Sequence, residues 1–248
     1  MKWKAIIVPA LVLASFSSCK KDSSNNPATT NKLKMYIEDA TNTPVDAIDS
    51  FSLTYDGQNR VTSLYSTSIK TVYTYNSNNT FDVDLYINGV LNVHELVYVN
   101  SSSLADSTFQ YDNTADTTTE GYVYSGGLLA QLTSYNFSAV TGAQINTQDN
   151  YTFDNNGNVI KDIQSDGSGN VITITTYTYT GGILDYYIGP VYFPQDKNLP
   201  ATQIQTDGSG NLISSVAYTY VFDSSNRVIK ETDAENNGQS VVKTFIYY

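Results

Sequence analysis

The chain has 248 residues, with 13 Lys and Arg against 24 Asp and Glu and a formal charge of −11. That balance excludes a nucleic-acid partner, because neutralising phosphates needs clustered basic side chains. Its 21 tyrosines, with abundant Thr and few charges, are a strand composition, and the length suits a single all-β domain.

The first element is a secretory signal peptide over residues 1–18. Lys2 and Lys4 give a positive start, Ala5 to Ala14 form a short apolar core, and Ser15-Phe16-Ser17-Ser18 lead into Cys19. The apolar run is too short to be a spanning helix. Cys19 is the only cysteine, so it has no internal disulfide partner. Residues 19–32, rich in Ser, Asn, Thr and Lys, read as a flexible tether, and 33–248 as one repeat domain.

Phe16-Ser17-Ser18-Cys19 resembles the lipobox of bacterial lipoproteins. Lys20-Lys21-Asp22 resembles the charged tag of surface-displayed lipoproteins of the Bacteroidota. The resemblance implies cleavage before Cys19, lipid attachment there and an outer-membrane address facing the cell surface. It also implies several acyl chains, since one chain binds a membrane only marginally. The expected membrane contact is therefore the N-terminal lipid.

Beyond the tether the chain repeats itself. Ile163-Gln164-Ser165-Asp166-Gly167-Ser168-Gly169-Asn170-Val171-Ile172 recurs as Ile204-Gln205-Thr206-Asp207-Gly208-Ser209-Gly210-Asn211-Leu212-Ile213. A second unit occurs at Leu53–Val61, Tyr151–Val159 and Tyr220–Val228, each built around an Asp with Asn or Gly three residues on. Such self-similarity signals a repeat architecture. Residues before each Asp alternate with the period of two expected of a strand. The Asp starts a turn by bonding the backbone two residues on. Gly157 falls where Asn59 and Asn226 fall, so this position should have positive φ in a bulge-closed hairpin loop. The Gly-Gly pairs at 126–127 and 181–182 suit two-residue primed turns.

The spacing predicts an all-β antiparallel up-and-down meander of about sixteen strands, at roughly one strand per ten to fourteen residues. Open edges invite aggregation, so the sheet should close into a barrel or curl strongly, with the aromatic face inward. Residues 183–200 break the rhythm with Tyr186, Tyr187, Tyr192 and Phe193 among Gly and Pro. They read as an insertion between hairpins and as a candidate ligand-binding loop. The Tyr-Thr-Phe-Asp-Asn-Asn-Gly-Asn-Val unit resembles the tyrosine-aspartate (YD) repeats of Rhs-type secreted shells. The whole pattern is similar to Bacteroidota lipoproteins grouped as a domain of unknown function with a porin-like fold. These resemblances imply a barrel-like fold and bring no catalytic residues with them.

Little else carries chemistry. His94 is the only histidine, with no second His or Cys to complete a metal or general-base site. No Gly-x-Ser-x-Gly or P-loop motif occurs. Asp166–Asn170 lacks the sixth-position Gly and twelfth-position Glu of a calcium loop and reads as a hairpin turn. The expectation is a non-enzymatic, lipid-anchored binding or scaffold module without metal or cofactor, its partner a glycan or a protein at the cell surface. Two alternatives stand beside it. A carboxylate-dependent glycan-active enzyme would need one acid of raised pKa near another. A transmembrane barrel would need an outward apolar band, against which the Thr, Ser and Asn content argues.

Overall fold

The computed structural model describes residues 32–41, 47–77, 79–112, 117–138, 142–184, 186, 188 and 196–248. The signal peptide, Cys19 and the tether up to residue 31 lie outside the described residues. Sixteen strands follow one another. They are β1 Leu33–Thr41, β2 Ala47–Tyr55, β3 Val61–Tyr65, β4 Ile69–Tyr75, β5 Thr80–Ile87 and β6 Val90–Val99. Then come β7 Ala105–Asp112, β8 Thr117–Ser125, β9 Leu128–Ser138, β10 Gly142–Phe153 and β11 Val159–Asp166. The last are β12 Val171–Ile183, β13 Asn198–Asp207, β14 Leu212–Phe222, β15 Val228–Glu235 and β16 Ser240–Tyr247. Each pairs antiparallel with its sequence neighbours, and β1 pairs with β16 from Leu33–Tyr247 to Thr41–Ser240, closing the barrel.

The turns form as their residues dictate. Asp56, Asp154 and Asp223 each accept, on Oδ1, the backbone N–H groups two and four residues on. Asn59, Gly157 and Asn226 have φ of 66, 88 and 63°, the left-handed backbone that Gly and Asn tolerate. A register shift sits beside each of these turns, as a bulged hairpin requires. Gly126 and Gly127 both have positive φ and make the β8–β9 primed turn. The second Gly-Gly is different. Gly181 and Gly182 lie inside β12, neither is left-handed, and the chain runs on to pair Ile183 with Asn198. Here glycine serves close packing: a Cβ on Gly182 would sit 2.9 Å from Leu199 Cδ1.

Alternation sorts the side chains into two faces. Tyr36, Phe51 and Phe245 are cross-strand neighbours whose rings meet inside the barrel, Tyr36 stacking on Phe51 at 4.8 Å. The end of the barrel that carries both chain ends is packed by apolar residues opening the odd-numbered strands. Leu33, Val61, Phe81 and Ala105 are buried there, as are Leu129, Val159, Leu199 and Val228. Tyrosines fasten this collar. Tyr55, Tyr75 and Tyr124 donate their hydroxyls to the carbonyls of Leu33, Val61 and Ala105. Tyr179, Tyr220 and Tyr247 do the same to Val159, Pro200 and Val228, at 2.6, 2.9 and 2.8 Å. Each bond runs from near the end of an even strand to near the start of an odd one, so the tyrosines tie the ladder where the hairpins turn. β6 and β10 end on Val99 and Phe153, which carry no hydroxyl.

Replacing Tyr124, Tyr179 or Tyr220 by Phe keeps the ring and strands a collar carbonyl. Each change should cost about 1 kcal/mol and lower Tm by roughly 2–4 °C for a domain of this size. Thermal melts followed by circular dichroism check this, and Tyr65→Phe on the outer face should leave Tm unchanged.

Candidate functional site

Inward positions in mid-barrel carry acids among the tyrosines. Glu38 faces Asp49 on β2 and Lys243 on β16. Lys243 Nζ donates to Glu231 Oε1 and Asp233 Oδ2, both at 2.8 Å. Tyr186, from the connection between β12 and β13, comes into the same group. Its hydroxyl donates to Glu231 Oε2, and its ring lies 4.4 Å from that of Phe245. Burial and then Glu231 push the Tyr186 hydroxyl well above its ordinary pKa. Leu184 and Ile188 pack on the same core. The described part of the predicted loop is thus turned into the barrel, with Tyr186 as its inner anchor. Tyr187, Tyr192 and Phe193 lie outside the described residues.

A second group gathers on β6 to β12. Tyr122 donates to Glu120 Oε2 at 2.5 Å, and Gln164 Nε2 to Asp149 Oδ1 at 3.0 Å. Burial pushes Glu95 up to about 7, with the Glu120 charge adding to it. Burial likewise lifts Asp162 to about 7, followed by the charge of Asp149. Asp162 Oδ1 is enclosed without a hydrogen-bond donor among the described residues. Asp196 also reaches about 7 through burial, although the Val159 N–H bonds its carboxylate at 2.7 Å. Sequence reasoning picked out the turn acids (Asp56, Asp154 and Asp223) and missed these. Their available signal is spacing: Glu38, Glu120 and Asp149 each stand two residues from an inward tyrosine (Tyr36, Tyr122, Tyr151).

The remaining sequence features resolve locally. His94 sits on the outer face, its Nδ1 2.7 Å from Asp84 Oδ1 and its Nε2 3.9 Å from Asp82 Oδ1. No group of three metal-ligating side chains that could hold an ion occurs among the described residues. In the Asp166 turn, Oδ1 takes the N–H groups of Ser168 and Asn170 and Oδ2 takes Asn170 Nδ2. Its carboxylate is occupied by the turn itself.

Two clefts indent the wall. One, of about 550 Å³, lies between Thr180-Gly181-Gly182 and Tyr218–Phe222. There β13 has left β14, since their pairing runs only from Thr202–Ala217 to Thr206–Leu212. The other, of about 590 Å³, lies on the outer face of β3 to β5 and is lined by Tyr65, Lys70, Tyr86 and the Ser66-Thr67-Ser68 turn.

No family model and no curated protein matches the chain. Solved structures do. A porin-like protein from Bacteroides uniformis ATCC 8492 aligns with a TM-score of 0.64 at 13% identity, covering 90% of this chain and all of that one. A porin-like protein from Bacteroides vulgatus ATCC 8482 aligns with a TM-score of 0.64 at 12% identity, covering 88% and 99%. At such identities the likeness is one of fold.

The inward acids give stability a definite pH dependence. The folded barrel holds protons on Glu95, Asp162 and Asp196 up to about pH 7, while the unfolded chain releases them near pH 4. Their contribution is complete below about pH 4 and is lost as pH rises through about 7. The turn carboxylates, whose pKa values are lowered by their turn donors, act oppositely and only below about pH 4. Tm should therefore be higher at about pH 5 than at about pH 8, and Asp162→Asn should shrink that difference. A Tm that rises between these pH values would contradict the assignment.

Proposed function

We propose that this chain is a lipid-anchored lipoprotein of the outer membrane, displayed at the cell surface, whose barrel stands outside the bilayer. There it acts as a non-catalytic binding or scaffold module for a glycan or protein partner. One observation carries the proposal: the outer face of the barrel interrupts its apolar side chains (Leu96–Phe109, Ile163–Ile174) with hydrogen-bonded polar pairs and charges, so the described strands present no continuous apolar belt. Thr178 bonds Thr202 across β12 and β13 at 2.6 Å, Gln131 bonds Asn150 across β9 and β10 at 3.0 Å, and Thr54 bonds Ser63 across β2 and β3 at 2.6 Å. Asp82, Asp84 and His94 occupy the same face. A barrel in lipid needs an apolar belt in these positions, because hydrocarbon leaves polar side chains without partners. Inside, tyrosines and acids project from the strands into the lumen.

The lipid on Cys19 supplies the membrane attachment in this reading. Tyr187, Tyr192 and Phe193 remain proposed ligand contacts, on a connection that Tyr186 holds to the barrel. The enzyme alternative has one observation in its favour, the Asp162 carboxyl held protonated near neutrality beside Asp149. Hydrolysis of a polysaccharide by the purified chain, lost in Asp162→Asn, would install it in place of the binding module.

The anchoring claim has its own experiment. In a lipoprotein-processing bacterium, the wild-type chain should incorporate labelled palmitate and fractionate with membranes. Cys19→Ser should lose the label and become soluble without detergent. A Cys19→Ser chain that stays in the membrane and needs detergent for extraction would make the barrel itself the membrane element.

A further inference from the structure

The outer cleft on β3 to β5 brings together residues that are remote in their sequence roles. Lys70 of β4 pairs with Tyr65 of β3 on one side and Tyr86 of β5 on the other. Inward neighbours alternate with them (Leu64, Thr71 and Leu85 pair with one another in the adjacent register), so Tyr65, Lys70 and Tyr86 form a row across the outer surface. The row borders a cleft of about 590 Å³ that the Ser66-Thr67-Ser68 turn closes at the barrel end away from the chain termini. Tyr65 is 42% exposed, and its ring is available.

Lys70, like Lys161 and Lys230 on the outer face, makes no ion pair with a carboxylate of the described residues, and of these three it is the one set between two tyrosines. Its natural partner on this face would be Asp84, two residue pairs along β5, but that carboxylate is taken by His94 Nδ1 at 2.7 Å. No carboxylate of the described residues pairs with Lys70. A cation that a strongly acidic protein leaves uncompensated, between two tyrosine rings and beside three hydroxyls, is suited to a ligand with one negative charge and apolar ring faces.

We propose that Tyr65, Lys70 and Tyr86 form a subsite for a glycan in which uronic acid residues alternate with neutral sugars. The two tyrosines are two strand spacings apart, ~9–10 Å, close to the distance between a pyranose ring and the next but one in an extended chain. Two neutral sugars stack on the tyrosine faces, which offer apolar area with a polar tip, and the acidic sugar between them sets its carboxylate on Lys70. The Ser66, Thr67 and Ser68 hydroxyls supply donors and acceptors for sugar hydroxyls. The protein's net charge makes the same point from the other side. It repels a densely sulfated polyanion and tolerates a chain with one carboxylate in every second sugar. Tyr111, 50% exposed and 6.0 Å from the His94 ring, continues the aromatic surface diagonally across β7.

The inference rests on the reading of this protein as a glycan-binding module, and its test separates the two. The full chain is titrated with hyaluronan oligosaccharides, with heparin and with neutral dextran by calorimetry. Hyaluronan should bind best, and binding should weaken with added salt. Tyr65→Ala, Tyr86→Ala and Lys70→Gln should each weaken binding roughly tenfold. Tyr98→Ala, elsewhere on the outer face, should bind as wild type, and circular dichroism should show all four variants folded. Hyaluronan binding that survives all three cleft substitutions would overturn the subsite and leave glycan binding standing. Preference for heparin or dextran would overturn the alternating uronic acid as the ligand class. Binding of none of the three polysaccharides would overturn the subsite. Silence across a wider glycan array would remove the glycan reading as well, leaving a protein partner.

Discussion

Pairing of β1 with β16 is the contact on which the rest of the molecule depends. It brings residues near Leu33 and Tyr247 together from opposite ends of the domain, so its closure entropy is met only after the intervening hairpins exist. Once made, it removes the sheet's last open edges, which would otherwise pair with other chains. It also fixes which side of every strand faces inward. A slip of one residue anywhere would send a tyrosine outward and a threonine inward. The bulges beside the Asp turns resist such a slip, because each ties register to a turn that forms locally.

Closure alone would leave a wide sixteen-stranded ring with a hollow middle. Tyrosine resolves this by reaching further than aliphatic side chains while carrying a hydroxyl that must be satisfied when buried. At the chain-terminal end the hydroxyls find collar carbonyls, and the rings line the wall below. In mid-barrel the hydroxyls meet carboxylates instead, as Tyr122 meets Glu120 and Tyr186 meets Glu231. Burial raises other inward acids, Glu95, Asp162 and Asp196, to about 7, because a low-dielectric site disfavours the charged carboxylate. Lys243 sits between Glu231 and Asp233 and donates to both. The interior is polar in atoms, with Lys243 set among its acids.

How much of this was legible in the sequence follows from the range of each signal. The strand count, the antiparallel order and the positive φ at Gly157 could be read because a hairpin is specified within about ten residues. The Gly-Gly at 181–182 was misread for the same reason: locally it is identical to the turn at 126–127. Only its approach to Leu199, across a gap of sixteen residues, shows why glycine is needed. The acids of the interior and the Tyr65–Lys70–Tyr86 row were invisible because each depends on register between strands. Tyr186 carried an aromatic-loop signal that says nothing of direction. Its partner Glu231 lies 45 residues on, and that contact, not composition, turns the ring inward.

The likeness to porin-like barrels is a likeness of backbone path, and a path does not choose its solvent. The same up-and-down circuit can sit in a bilayer or in water, depending on what occupies the outward half of each strand. Hydrocarbon would leave the Thr178–Thr202 and Gln131–Asn150 pairs as isolated polar islands and would strand Asp82, Asp84 and His94 far from water. In water these residues are ordinary surface, and the cross-strand hydrogen bonds add to the ladder beneath them. In the proposed reading the wall of the barrel is not what holds the protein at the membrane. A lipid at Cys19, joined to the start of β1 by the tether, would hold the collar end towards the bilayer and turn the outer cleft and the far turns towards whatever the cell meets.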